Sequence, residues 1–237
     1  FSVGLPSVII CRLFGKKLII RTGGDFLWEQ YVERTGKKIL FRNFYKDEFS
    51  NFSFKEKFIF KLTKWTLKNT TSVVFSTTWQ RDIFTTAYDL GSVKTSIIEN
   101  YYGLKEFSIN PENKSFIASS RNLVWKNLDL LEEVFNEIES ADLFLDNLKF
   151  EDFMNKIRNS YAVIQVICTR EVGIFDRIKD VGIFVDPLNK TEIKNAVLNL
   201  LDKDNYEIAL KKVREFSFIH TWEEIGEEFI SVYNTIK

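Results

Sequence analysis

Residues 115–135 read SFIASSRNLVWKNLDLLEEVF. The apolar run "FIAS" predicts a strand that delivers Ser119, Ser120 and Arg121 to its C-terminal edge. Lys126 then opens a helix that continues "NLDLLEEVF". A helix N-terminus offers free N–H groups and the positive end of its dipole. Arg121 and Lys126 add two cations at the same edge. Together they can hold a diphosphate, each charge-assisted hydrogen bond contributing about 1.5–3 kcal/mol. The same pattern also suits two solvated surface cations.

The strand–turn–helix reading extends outward in both directions. Short apolar runs at 16–21, 37–41, 72–76, 95–100, 115–120, 141–145, 161–169 and 182–187 predict strands. They are continuous, not alternating, as in parallel strands covered on both faces. Helical stretches at about 53–69, 77–88, 126–138, 149–159, 189–202, 204–216 and 221–235 lie between them. In 189–202, Ile193, Val197, Leu198 and Leu201 share a face and Asn189 supplies a cap. This alternation predicts an α/β fold built from βαβ units. A strand ending at Asn100, then Gly103 and Pro111, marks a boundary near residue 102. The expected organisation is a first lobe over 1–101, a second over 102–218 and a C-terminal helix over 219–237, with a ligand cleft between the lobes.

Lys+Arg and Asp+Glu number 33 each, so net charge gives no reason to expect nucleic acid. The single His220 disfavours a His-rich metal site or a Ser-His-Asp triad. A structural role beside Thr221 and Trp222 is expected for it. Cys11 and Cys168 sit in strand-like apolar runs and read as buried, reduced thiols. The 23 phenylalanines read as core filling. No apolar run approaches the roughly 20 residues of a membrane span, and no leader peptide is recognisable; the reduced thiols predict a cytoplasmic setting.

Two further stretches carry candidate function. "RTGGDFLWE", 21–29, places Gly23, Gly24 and Asp25 at the end of an apolar run. One reading is a tight strand-to-helix turn with Asp25 capping the helix. "FKEKFIFKLTKWTLKN", 54–69, carries five lysines against one acid, with Phe58, Ile59, Leu62 and Trp65 on one face. Such a helix either packs on the sheet and solvates its lysines or lies on anionic lipid. The second option predicts peripheral contact with the inner face of a membrane.

The segment 119–135 resembles the "GR-x4-KN-x-D-x-L" stretch of GT-B fold glycosyltransferases, particularly glycosyltransferase family 4. Segments 141–165, 166–201 and 220–236 resemble, in order, the strand–turn–helix–strand beside the nucleotide base, the closing strands with the last Rossmann helix, and a C-terminal helix that crosses back. "RTGGDFLWE" and 73–100 resemble parts of the family's first lobe. The resemblance implies two Rossmann-like lobes and a retaining, metal-independent, hexosyltransferase-like enzyme that needs no cofactor. It would move a sugar from a nucleotide-diphosphate donor to a glycan or lipid-linked acceptor. Arg121 and Lys126 would bind the diphosphate, and Asn147 and Leu148 would lie by the base. Glu171 would join the substrate-binding set. Gly23 and Gly24 would let backbone approach the donor, and Asp25 would face the cleft as a polar anchor in the catalytic set.

One departure stands against these matches. The family's Glu-x7-Glu pair is absent where "YAVIQ" runs directly into "VICTRE". Glu48/Glu56, Glu207/Glu215 and Glu215/Glu223 have the spacing with the wrong flanks. Parallel neighbours need a connection of a dozen or more residues, so these two runs cannot pair side by side as parallel strands. The joins at Gln165–Val166 and Ser140–Ala141 and the opening at Phe1 predict that segments of the family pattern are absent. The alternatives are a non-catalytic nucleotide-sugar-binding protein and a GT-B nucleotide-sugar epimerase.

Overall fold

The computed structural model describes residues 3–103, 114–119, 123–146, 148–163, 167–169 and 173–236. The chain divides into two compact units. One comprises Phe1–Arg34, Ile39–Gly103 and Phe218–Lys237, the other Thr35–Lys38 and Leu104–Ser217.

The first unit runs α1 (Gly4–Leu13), β1 (Ile19–Thr22), α2 (Phe26–Thr35), α3 (Phe41–Glu48), α4 (Phe54–Lys68), β2 (Ser72–Phe75), α5 (Thr78–Tyr88) and β3 (Lys94–Ile97). The sheet is parallel with β2 in the middle, Ile19 opposite Ser72 and Phe75 opposite Ile97. Every residue of β2 is buried, which explains its unbroken apolar sequence. Successive side chains of a strand point to opposite faces. Val73 and Phe75 accordingly join Phe41, Leu67, Phe84, Tyr88 and Leu90 on one side. Val74 joins Ile98, Ile225, Val232 and Ile236 on the other.

Ile225 and Val232 belong to α11 (Trp222–Thr235), so this helix covers the second face of the first sheet. Its entry is fixed by a capping box between Thr221 and Glu224. An antiparallel bridge joins Tyr102 to His220. His220 is buried, its Nδ1 3.0 Å from the Asn100 carbonyl and its Nε2 3.4 Å from a Glu228 oxygen, so it serves the junction. At the other end Lys17 Nζ donates to the Ile236 carbonyl at 2.8 Å and Lys94 Nζ to that of Thr235 at 2.7 Å. Cations at a helix C-terminus satisfy its free carbonyls and complement its dipole.

In the second unit, β4 (Ser115–Ser119), α6 (Leu128–Phe135), β5 (Asp142–Asp146), α7 (Phe150–Arg158) and β6 (Ala162–Val163) are followed by β7 (Ile167–Thr169), α8 (Phe175–Ile178) and β8 (Ile183–Val185). Helices α9 (Lys190–Leu201) and α10 (Lys203–Glu215) complete it. One parallel sheet has the order β5-β4-β6, and a separate parallel pair joins β7 to β8. Phe116 packs with Val134 and Phe135 of α6 and with Val197 and Leu200 of α9. Asn189 caps α9, its Oδ1 accepting from the Thr191 and Glu192 amides.

Several expectations are corrected. Residues 37–41 form no strand. Gly36, at φ +69°, closes α2, and Phe41 opens α3, whose Phe41, Phe44 and Tyr45 follow helical spacing into the core. The apolar run around Cys11 is helix α1, and Cys11 is a half-buried free thiol. The run 161–169 holds two strands in different sheets, in keeping with the rule against side-by-side parallel pairing. In α9 the buried face is Ile193, Ala196, Val197 and Leu200, with Leu198 exposed.

Removing a buried branched side chain here costs about 2–5 kcal/mol. Ile225→Ala should therefore lower the urea midpoint of the first unit markedly. Ile230→Ala, on the exposed side of α11, should stay within about 0.5 kcal/mol of the parent. Equal effects would show that α11 does not close the sheet.

Candidate functional site

Parallel strands bring their C-terminal ends to one edge, where α/β proteins bind ligands. In the first unit that edge follows Thr22, and the chain turns through Gly23 and Gly24 into α2. Neither glycine has a positive φ. A β-carbon on Gly23 would meet nothing within 4 Å, whereas one on Gly24 would lie 3.0 Å from Glu29 Oε1. The space before Gly23 belongs to a cavity of about 490 Å³ whose walls include Arg21, Gly23, Gly24, Asp25, Thr63 and Tyr88.

Asp25 is only 4% exposed. Its Oδ1 accepts the Trp28 amide at 2.9 Å, the bond of an N-cap residue. Its Oδ2 accepts the Tyr45 hydroxyl at 2.6 Å and the Tyr88 hydroxyl at 3.2 Å, and the two phenols bond to each other. The carboxyl thus gathers α2, α3 and α5 at the end of β1. Burial pushes its pKa up, against the opposing pull of Tyr45, the Trp28 amide and Tyr88. Burial also raises the Tyr45 and Tyr88 phenols, and the Asp25 charge raises them further. The capping role is therefore the one the contacts show. Tyr45 and Tyr88 were missed in the sequence; they lie 20 and 63 residues from Asp25, and no local pattern marks them.

In the second unit Ser119 ends β4 opposite Asp146 at the end of β5. A 3-10 turn, Val124–Lys126, then leads into α6 through Asn127, which is left-handed at φ 52°. This conformation delays the helix to Leu128. Lys126 Nζ lies 4.3 Å from the centre of the Trp125 ring. Asn127 Nδ2 donates to the Pro187 carbonyl at 2.8 Å, tying this turn to the loop before α9. Its Oδ1 is buried without a hydrogen-bond donor among the described residues. Leu148 is half-buried just after β5. Arg121, Asn147 and Glu171 lie outside the described residues.

Glu48 and Glu56 are structural acids. Glu48 accepts from Tyr31 and Asn51. Glu56 forms the α4 capping box with Ser53 and an ion pair with Arg34 at 2.8 Å. Among the described residues no group of three His, Cys, Asp or Glu is placed to hold a metal ion, and no helix is long and apolar enough to cross a membrane.

No family model matches the sequence, and no curated protein matches it. Among solved structures the chain is similar to the one described as "Crystal Structure of TarM", with 17% identity and a TM-score of 0.47. The match covers 78% of this chain and 47% of that one, so the chain spans about half the length of that structure.

A carboxyl whose folded pKa is raised stabilises fully below its unfolded value, near 3.8, and that stability is lost as pH rises through the folded pKa. Asp25→Asn keeps a capping oxygen and does not titrate. The parent's stability relative to Asp25→Asn should therefore fall with rising pH, as urea melts across about pH 4–8 would show. A flat difference would mean that Asp25 ionises as freely folded as unfolded. Asp25→Ala removes the cap and a phenol acceptor, and should cost at least about 2 kcal/mol.

Proposed function

We propose that the protein is a GT-B type glycosyltransferase that transfers a sugar with retention from a nucleotide-diphosphate donor to a glycan or lipid-linked acceptor. The observation that carries this reading is the position of Lys126. It stands on the turn between the C-terminal edge of a parallel strand and the start of α6, the place the sequence resemblance reserves for a diphosphate-binding cation. Arg121, five residues earlier, is assigned the same task by that resemblance. Asn127 Oδ1 has no donor among the described residues, which supports the reading, because a buried acceptor of this kind favours a donor supplied by a ligand.

Negative charge grows on the diphosphate as the glycosidic bond breaks. Cations fixed beside it stabilise the transition state more than the bound substrate. They do the work a divalent ion does in other transferases, so the proposed reaction runs without metal. In the first unit, Gly23 offers bare backbone to the cavity, and Asp25 holds that wall in shape from behind. A second reading, a nucleotide-sugar-binding protein without catalysis, is favoured by the sequence itself: "YAVIQ" runs directly into "VICTRE", where the resemblance would place the Glu-x7-Glu pair.

Calorimetry with a nucleoside diphosphate, beside a sugar-transfer assay, separates these readings. Lys126→Ala should weaken diphosphate binding by about 10- to 100-fold, and Arg121→Ala should act alike. The double variant should be less than additive, because both cations act on one group. Transfer should survive a metal chelator. Unchanged diphosphate affinity in both single variants would refute the proposed site, and binding without transfer would establish the second reading. Gly23→Val places atoms in open space at a permitted φ. It should leave the melting temperature near that of the parent while reducing transfer; full activity would remove the cavity from the site.

A further inference from the structure

Helix α4 exposes large aromatic side chains, where a helix merely packed on a sheet would expose polar ones. Phe54 is 88% exposed, Phe58 54% and Trp65 41%. At about 100° per residue these three fall on one stripe. Lys57, Lys61, Lys64 and Lys68 run along one side of it, and the opposite face holds the buried Glu56, Thr66 and Leu67. Glu56 is the helix's sole acid, and Ser53 and Arg34 occupy it. Lys64 and Lys68 pair with Asp89 at 3.5 and 2.7 Å. Lys55, Lys57 and Lys61 are exposed and have no ion pair among the described residues.

Helix α1 packs beside α4, and Arg12 donates to Asn69 at the end of α4. It exposes Ile9, Ile10 and Leu13, with Phe14 following. Residues 3–17 include Arg12, Lys16 and Lys17 and no acid. The whole chain balances 33 cations with 33 anions, so the basic charge of these two helices is a local segregation. It coincides with the exposed aromatic and aliphatic side chains.

We propose that α4, with α1 beside it, seats the protein on a lipid bilayer containing anionic headgroups. Aromatic side chains are favoured at the headgroup boundary, where an apolar body and a polar neighbourhood meet. Lysines extend apolar stems along that boundary and place their ammonium groups at lipid phosphates. The aromatic stripe supplies the insertion and the lysines select for negative charge. Neither helix crosses the bilayer. This inference is independent of the proposed glycosyl transfer, since it concerns a surface of the first unit and is read out by binding alone.

The test is co-sedimentation of the full chain with phosphatidylcholine vesicles, with and without phosphatidylglycerol. Binding should require the anionic lipid and weaken as salt rises. Lys57→Glu with Lys61→Glu should weaken it by at least about 20-fold, at roughly five-fold for each lysine lost. Phe58→Ser with Trp65→Ser should weaken it by about 10-fold or more. All four positions are exposed, so circular dichroism and melting should match the parent. The proposal is overturned by equal binding to both vesicle types, by binding to neither, or by variants that bind as the parent does. It is equally overturned if sedimentation velocity shows a dimer that Phe58→Ser with Trp65→Ser dissociates, because the stripe would then be covered by a second copy.

Discussion

The buried carboxyl of Asp25 sets the arrangement of the first unit. Water cannot solvate it, so its oxygens need donors from the protein, and an unsatisfied buried acceptor of this kind costs about 1–3 kcal/mol or more. The donors come from one amide of α2, a phenol of α3 and a phenol of α5. Three helices spread over residues 26–88 are thereby held at the end of one strand. The wall of the 490 Å³ cavity is a by-product of that constraint. Asp25 shapes it from behind, and the neighbouring Gly23 leaves it open in front.

The abundance of phenylalanine has a physical outlet here. Phe41, Phe44, Phe52, Phe60 and Phe84 meet one another and Tyr31, Tyr45 and Tyr88 in tilted and edge-to-face contacts with ring centres 5.2–6.4 Å apart. Such pairs add about 0.5–1.5 kcal/mol beyond their buried area. The tyrosines among them carry hydroxyls into the same cluster, where Asp25 and Glu48 accept from them. The polar site and the apolar core are therefore built from one set of rings.

Local signals were readable and long-range ones were not. "SVVFS" announces a strand covered on both faces, and Asn189 announces a helix start, because strand burial and capping are decided by adjacent residues. The Asp25 cap was among the readings the sequence allowed for the same reason. Tyr45 and Tyr88 were invisible, since only tertiary folding brings them to Asp25. Helix α1 was hidden because "VIIC" is apolar on every side, and such a run fits strand or helix equally well by periodicity. The apolar run 37–41 suggests a strand, yet it is irregular chain leading into α3; the helical spacing begins only where Phe41 is followed by Phe44 and Tyr45. In α4 the sequence grouped Phe58, Ile59, Leu62 and Trp65 on one face. The fold divides them, keeping Ile59 and Leu62 partly covered and leaving Phe58 and Trp65 exposed. Binary patterning alone does not say which edge of a broad apolar face meets the core.

The attachment of α11 has a consequence for how the molecule comes into being. Val74 and Ile98 precede residues 104–217 in synthesis, yet the residues that cover them, Ile225, Val232 and Ile236, follow that whole segment. At about 5–20 residues per second the wait is on the order of ten seconds. Through that interval one face of the nascent sheet stays uncovered while the intervening segment emerges. Folding of the first unit cannot finish in the order of synthesis, and an exposed β-sheet face is the species that holding chaperones and aggregation compete for. Helix α11 thus closes a sheet whose strands were made well before it.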